Sequence, residues 1–220
     1  YERDIRKIGR RVADQNIKIV VIDEAHHSAA SSYQPIFDRS AVGVLGLTAT
    51  PSRHDGKPLN FDKESYSIGF PDLIQQKIIL APIIEPPIKT GHKDTADHFD
   101  KLDKSKLNNI ERNKKIISVL EKYHEKYNKV VIYVGTKDHV KDLYIQITNS
   151  SLLKEKYSSI NWILGGENNN SRRLPRKIFI EEEKSEKKTI LINIDVLTEG
   201  YDDPTIDTVV MACPMKSALK

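Results

Sequence analysis

The stretch Ile17-Lys18-Ile19-Val20-Val21-Ile22-Asp23-Glu24-Ala25-His26-His27 decides the fold. Ile17 to Ile22 is a short apolar run, the pattern of a strand buried on both faces. It stops abruptly at two carboxylates. A second run, Val42-Gly43-Val44-Leu45-Gly46-Leu47, stops at Thr48-Ala49-Thr50-Pro51. Before the first run, Ile5, Ile8 and Val12 fall at helical spacing. Between the two runs lies a helical or loop stretch that breaks near Pro35. Strands separated by helices, with polar residues at their ends, predict a parallel α/β sheet. Ligands gather at the carboxyl ends of such strands.

Outward from there, residues 52–68 are polar and turn-rich. Leu73 to Leu80 is expected to form a short helix running into an edge strand. Pro82, Pro86 and Pro87 then cut regular structure, and residues 81–104 read as a connector rich in charge, His and Pro. A long helix is expected over 105–127, with Leu107, Ile110, Ile117, Leu120, Tyr123 and Tyr127 on roughly one face. Strands are expected at Val130–Val134, Ile160–Leu164, Thr189–Ile194 and Ile206–Met211. Helices over 138–149 and around 173–182 separate them. The second half is thus another parallel α/β layer. The first half supplies only two or three clear strands, so its layer is expected to be incomplete. The boundaries predicted are residues 1–88, a linker at 89–104, and 105–220.

Composition bounds the class. The chain has 220 residues, 38% hydrophobic and 30% charged, enough for a sizeable core. No apolar run approaches the roughly 20 residues that cross a bilayer, so no membrane partner is expected. One cysteine, Cys213, excludes an internal disulfide framework and a cysteine-built zinc site. The net charge of +4 permits a polyanionic partner without requiring one. Its placement says more: residues 101–129 carry nine Lys/Arg against four Asp/Glu, and 195–207 carry five acids and no base. Residues 101–129 either contact phosphates or form a solvated helix face with alternating Lys and Glu. The basic 172–188 stretch has the same two readings.

The acidic strand end has the form of a Walker B segment. Mg²⁺ is a hard ion that wants oxygen ligands, and one aspartate plus nucleotide phosphates suits it. The neighbouring Glu24 is placed to accept a proton from an attacking water. The plain alternative is an acidic turn that merely ends a strand. His26 and His27 are adjacent, share no helix face and lack a third ligand at zinc spacing. One of them is better used as a hydrogen-bonded link from the nucleotide site to a facing element.

Asp23-Glu24-Ala25-His26 spells the DEAH box of superfamily 2 helicases and translocases. Gly46-Leu47-Thr48-Ala49-Thr50-Pro51 resembles their motif III. Val131-Ile132-Tyr133-Val134-Gly135-Thr136 resembles motif IV, and Asp195-Val196-Leu197-Thr198-Glu199-Gly200-Tyr201-Asp202-Asp203-Pro204 resembles motif V. Four matches in order span essentially the whole chain. The resemblance implies two RecA-like lobes with parallel sheets, the first incomplete, that sandwich ATP and track along nucleic acid. It implies that Asp23 holds Mg²⁺, that Glu24 positions or activates the water, and that His26 couples the nucleotide site to motif III. Thr48 and Thr50 would relay to the nucleic-acid face. Thr136, Thr198, Glu199 and Gly200 would lie along the sugar-phosphate backbone. Asp202, with Gly200, would close toward the nucleotide. Arg172 or Arg173 resembles the family arginine that precedes a second-lobe helix. Contacts of this kind read backbone and not base. Capping by Thr48 and Thr50, and a turn role for Gly200, are the plainer alternatives.

The chain departs from the family pattern in two places. It holds no Gly-x-x-x-x-Gly-Lys-Ser/Thr, and the family's arginine-rich last motif is expected only after Lys220. A chain that begins inside the first lobe and stops short of that motif is expected to hydrolyse ATP poorly by itself. Three functions stay open. The first is an ATP-dependent DNA helicase or translocase of the branch that includes restriction-type and mitochondrial branch-migration helicases. The second is an RNA helicase. The third is an inactive nucleic-acid clamp or interaction module that kept the fold. The resemblance implies an intracellular setting and leaves mitochondrion, nucleus, bacterial cytoplasm and virus open.

Overall fold

The computed structural model describes residues 17–38, 42–51, 59–88, 104–164, 188–194, 197 and 203–213. The chain divides into two compact units, Tyr1–Glu85 and Pro86–Lys220. In both, the strands run parallel and helices lie between them in sequence, giving the α/β architecture of a RecA-like lobe.

In the first unit, β1 (Ile19–Ile22) pairs with β2 (Gly43–Gly46) in parallel, Ile19 opposite Gly43 and Ile22 opposite Gly46. A 3₁₀ turn (Ala25–Ala29) follows β1. Pro35 does not break the next stretch. It occupies the first turn of the short helix α1 (Gln34–Phe37), where a missing N–H costs nothing. The helix α2 (Phe70–Gln75) likewise has proline in its first turn. The edge strand expected to follow it does not form. Lys77 adopts φ 57°, and the Ile78 N–H turns back to the Leu73 carbonyl at 2.9 Å, a left-handed helix stop that redirects the chain.

In the second unit, four parallel strands run in the order β4 (Ser159–Leu164), β5 (Thr189–Ile194), β3 (Lys129–Tyr133) and β6 (Thr208–Met211). The long helix expected over 105–127 is shorter. A 3₁₀ turn (Lys104–Leu107) leads into Asn109, whose side chain accepts the Arg112 N–H at 2.8 Å and starts α3 (Ile110–Lys122). The helix α4 (Lys137–Asn149) starts at Thr136. A further helix not anticipated from the pattern, α5 (Ser151–Lys156), starts at Ser150, whose hydroxyl accepts the Leu153 N–H.

Strand alternation sorts this sheet into two apolar layers. Val130, Ile132, Ile190, Ile192 and Ile194 meet Ile116 and Leu120 of α3 and Val140, Leu143 and Ile147 of α4. Val131, Leu191 and Ile163 form a second cluster that includes Leu197. Trp162 packs against the first layer, as core and not as an exposed stacking platform. The helix expected around 173–182 and the one over 3–12 lie outside the described residues.

Candidate functional site

The sheet ladder itself makes the acidic tip. Leu47 N–H bonds the Ile22 carbonyl at 2.8 Å, and Ala25 N–H bonds the Leu47 carbonyl at 2.8 Å. Between these bonds Asp23 and Glu24 are looped out of the ladder, and both are exposed. Glu24 takes a left-handed conformation, φ 49° and ψ 49°, which costs a residue with a Cβ on the order of 1–2 kcal/mol. Its N–H is held by Asp23 Oδ1 at 2.9 Å. Gly46 is dictated by close approach: a Cβ there would run into the Phe61 ring and Ala25. Phe61 in turn meets Phe37 edge-on, ring centroids 5.4 Å apart.

His26 joins the two strand ends. Its Nδ1 lies 3.0 Å from Thr48 Oγ1 and 3.4 Å from Glu24 Oε2. Thr48 Oγ1 also accepts the Thr50 N–H at 3.1 Å. Asp23, Glu24, His26, Thr48 and the Thr50 backbone thus form one contiguous polar group at the carboxyl ends of β1 and β2. The Thr48 hydroxyl caps its own turn and also contacts His26. The His27 ring lies against that of His26, centroids 4.1 Å apart and tilted by 45°.

At the carboxyl end of β3, Thr136 Oγ1 accepts the His139 N–H at 3.1 Å and caps α4. Thr198, Glu199, Gly200, Asp202, Arg172 and Arg173 lie outside the described residues.

Several bases of the 101–129 stretch engage groups of the second unit itself. Arg112 donates to the Ala212 carbonyl at 2.6 Å, and Lys114 pairs with Glu111 at 3.2 Å. Lys122 and Lys126 lie over the Tyr123 and Tyr127 rings. Lys129 is buried and pairs with Asp203 at 3.0 Å, with Thr205 Oγ1 at 2.6 Å from its Nζ. Asp207 accepts the Asn128 and Lys129 N–H groups at 2.9 and 3.2 Å. Two acids of the 195–207 run therefore serve the amino end of β3. The signal for this lock was present as charge segregation between the two runs.

Family models agree with this geometry. The model described as "Type III restriction enzyme, res subunit" matches residues 2–53, and "Helicase conserved C-terminal domain" matches 111–219. The chain belongs to the superfamily 2 helicases. The helicase core is 29% identical over 218 residues to "Putative ATP-dependent helicase IRC3" of Saccharomyces cerevisiae, covering 92% of this chain and 30% of that protein. It is 30% identical over 206 residues to "Putative mitochondrial ATP-dependent helicase irc3" of Schizosaccharomyces pombe, covering 87% and 32%. The chain thus spans about a third of the length of these relatives. Among solved structures it is similar in fold to "ATP-dependent Type ISP restriction-modification enzyme LlaBIII bound to DNA". That match has a TM-score of 0.57 at 14% identity and covers 97% of this chain and 17% of that one.

The donor set of the helicase core bears on its cofactor. Asp23 offers carboxylate oxygen at an exposed strand tip, the chemistry Mg²⁺ prefers. Among the described residues no three His, Cys, Asp or Glu side chains group into an ion cage. One carboxylate fits an ion that arrives with a nucleotide and takes its other ligands from phosphate and water. No described helix is long and apolar enough to cross a membrane.

Proposed function

We propose that this chain is the core of an ATP-dependent DNA helicase or translocase, acting inside the cell. One observation carries the reading: His26 Nδ1 is within reach of both Glu24 and Thr48, linking the acidic tip to the Thr48-Ala49-Thr50 turn. In this reading Asp23 holds the Mg²⁺ of Mg-ATP, and the bound nucleotide supplies the γ-phosphoryl group. Glu24 orients the attacking water and takes its proton. His26 senses whether Glu24 is engaged and passes that to Thr48 and Thr50. Thr136, Thr198, Glu199 and one of Arg172 and Arg173 hold the sugar-phosphate backbone, and Gly200 with Asp202 faces the nucleotide. Residues up to 88 belong to the first lobe, 89–104 link, and 105–220 belong to the second.

The Gly-Leu-Thr-Ala-Thr-Pro form of the β2 end and the match to a restriction-enzyme family support DNA over RNA. The mitochondrial name of one relative supports an organellar setting. In the full-length protein, Glu24→Gln is expected to abolish ATP turnover while ATP binding persists. Near-normal turnover removes Glu24 from this role. Stimulation by single-stranded RNA and not by DNA would transfer the reading to an RNA helicase, since the 2′-OH is what separates the two strands.

A further inference from the structure

Leu197 immediately precedes Thr198-Glu199-Gly200, and three separate features of the second unit hold it. Its side chain is 4% exposed and packs in the layer with Val131, Ile163 and Leu191. Its carbonyl accepts the Tyr133 hydroxyl at 2.6 Å. Its N–H donates to Asn193 Oδ1 at 3.2 Å. Tyr133 ends β3 and Asn193 lies next to the end of β5, directly opposite each other in the parallel register. Both backbone groups of one residue are therefore bonded by side chains from the two central strands, and its side chain is fixed between them. A tyrosine and an asparagine in central strands are polar choices where Val or Ile would serve packing alone. The Tyr133 hydroxyl and Asn193 Oδ1 both bond the backbone of the same loop residue.

We propose that Tyr133 and Asn193 are positioning residues for nucleic-acid binding: they anchor Leu197 so that the backbone-contacting residues beginning at Thr198 start from a fixed point. The inference rests on the proposed role of Thr198 to Gly200 and adds to it residues that touch no strand themselves. Preorganisation of this kind raises affinity by removing the ordering cost that a loose segment would meet on binding. Strand affinity therefore depends on a hydroxyl at the end of β3, and the dependence is the same for every base sequence because only backbone is read.

The test compares Tyr133→Phe with Tyr157→Phe. Tyr157 makes a comparable bond elsewhere in the second unit, its hydroxyl donating to the Tyr127 carbonyl at 3.0 Å. Both variants lose one tyrosine–carbonyl bond, so both should lower the unfolding midpoint by similar amounts. Binding of the whole 220-residue chain to a fluorescein-labelled 20-nucleotide single-stranded DNA is read by anisotropy at fixed salt. Tyr133→Phe is expected to raise Kd roughly fivefold, the scale of one hydrogen bond, on oligo-dT and mixed sequence alike. Tyr157→Phe should leave Kd unchanged. Equal Kd for both variants overturns the anchor, as does equal weakening by both. Thr198→Ala separates the two layers of the reading. If it weakens binding and Tyr133→Phe does not, the anchor falls and the direct contact stands. If Tyr133→Phe weakens binding and Thr198→Ala does not, the anchor stands and Thr198 is removed from the contact. If the wild-type chain binds no strand, both fall.

Discussion

β1 and the central pair β3 and β5 are written in the same alphabet and meet opposite environments. Ile19-Val20-Val21-Ile22 leaves Ile19 at 67% exposure and Val21 at 56%, while Val130, Ile132, Ile190, Leu191 and Ile192 are all essentially inaccessible. β1 has one described neighbour, β2, whose Leu45 is also exposed. β3 and β5 each have a strand on both sides, helices across one face and Leu197 on the other. An apolar run thus reports that a strand exists, and its burial is set by what packs around it. The two units also differ in what they do with polar groups. The first holds its carboxylates out at a strained tip. The second turns them inward as locks, as in Lys129 with Asp203.

The contrast is broken most directly at the inward lock. Removing one partner of a buried ion pair leaves the other charge uncompensated, which costs about 3–5 kcal/mol. Asp203→Leu is therefore expected to lower the stability of the second unit by about 3 kcal/mol, read by denaturant unfolding with the Trp162 fluorescence. A loss under about 1 kcal/mol would mean that the pair behaves as a surface one.

A second expectation concerns acid. His139 is fully buried, its Nε2 is 2.9 Å from Asn113 Oδ1, and its Nδ1 has no hydrogen-bond partner. Burial, and then the neighbouring Arg112 charge, push its pKa down from 6.5 to about 4, with Asp142 opposing. The folded pKa lies below the unfolded one, so the unfolded chain binds the proton first. The stability tied to neutral His139 is complete above about pH 6.5 and is lost as pH falls toward 4. Thermal unfolding of the second unit should show this slope, and His139→Gln should flatten it. An unchanged slope would assign the acid sensitivity to other groups.

The smallest effect has the opposite sign and belongs to the first unit. Glu24→Gly is expected to stabilise it by about 1 kcal/mol, because glycine accepts φ 49° without penalty, while removing the carboxylate proposed for water activation. Proteolytic susceptibility of the first unit is the measurement, and a destabilised variant would show that the Glu24 side chain contributes more to the fold than its backbone costs.

Much of the strand layout was legible because branched apolar runs ending in polar residues have few other structures open to them. Ile17–Ile22 and Thr189–Ile194 are examples, matched within two residues by β1 and β5. Helix bounds were less legible. The apolar face over 105–127 looks continuous, yet Asn109 caps the helix inside it. The helix after Ser150 is too short for periodicity to reveal. At the acidic tip, residue identities announced the chemistry, but the left-handed turn at Glu24 arises from Ala25 returning to the Leu47 carbonyl, a tertiary bond. His139 escaped notice because one polar residue on an apolar helix face acquires meaning only from Asn113, 26 positions away. Tyr133 is likewise ordinary in sequence and distinctive only through Leu197.

Lys129 supplies a reporter that needs no engineering. Its side chain is 7% exposed and ion-paired, whereas that of Lys114 is 66% exposed. An amine-acylating reagent should modify Lys114 in the native protein and reach Lys129 only when the β3 end opens. The ratio of the two adducts, followed over time by peptide mass spectrometry, then gives the opening rate of the sheet at that residue.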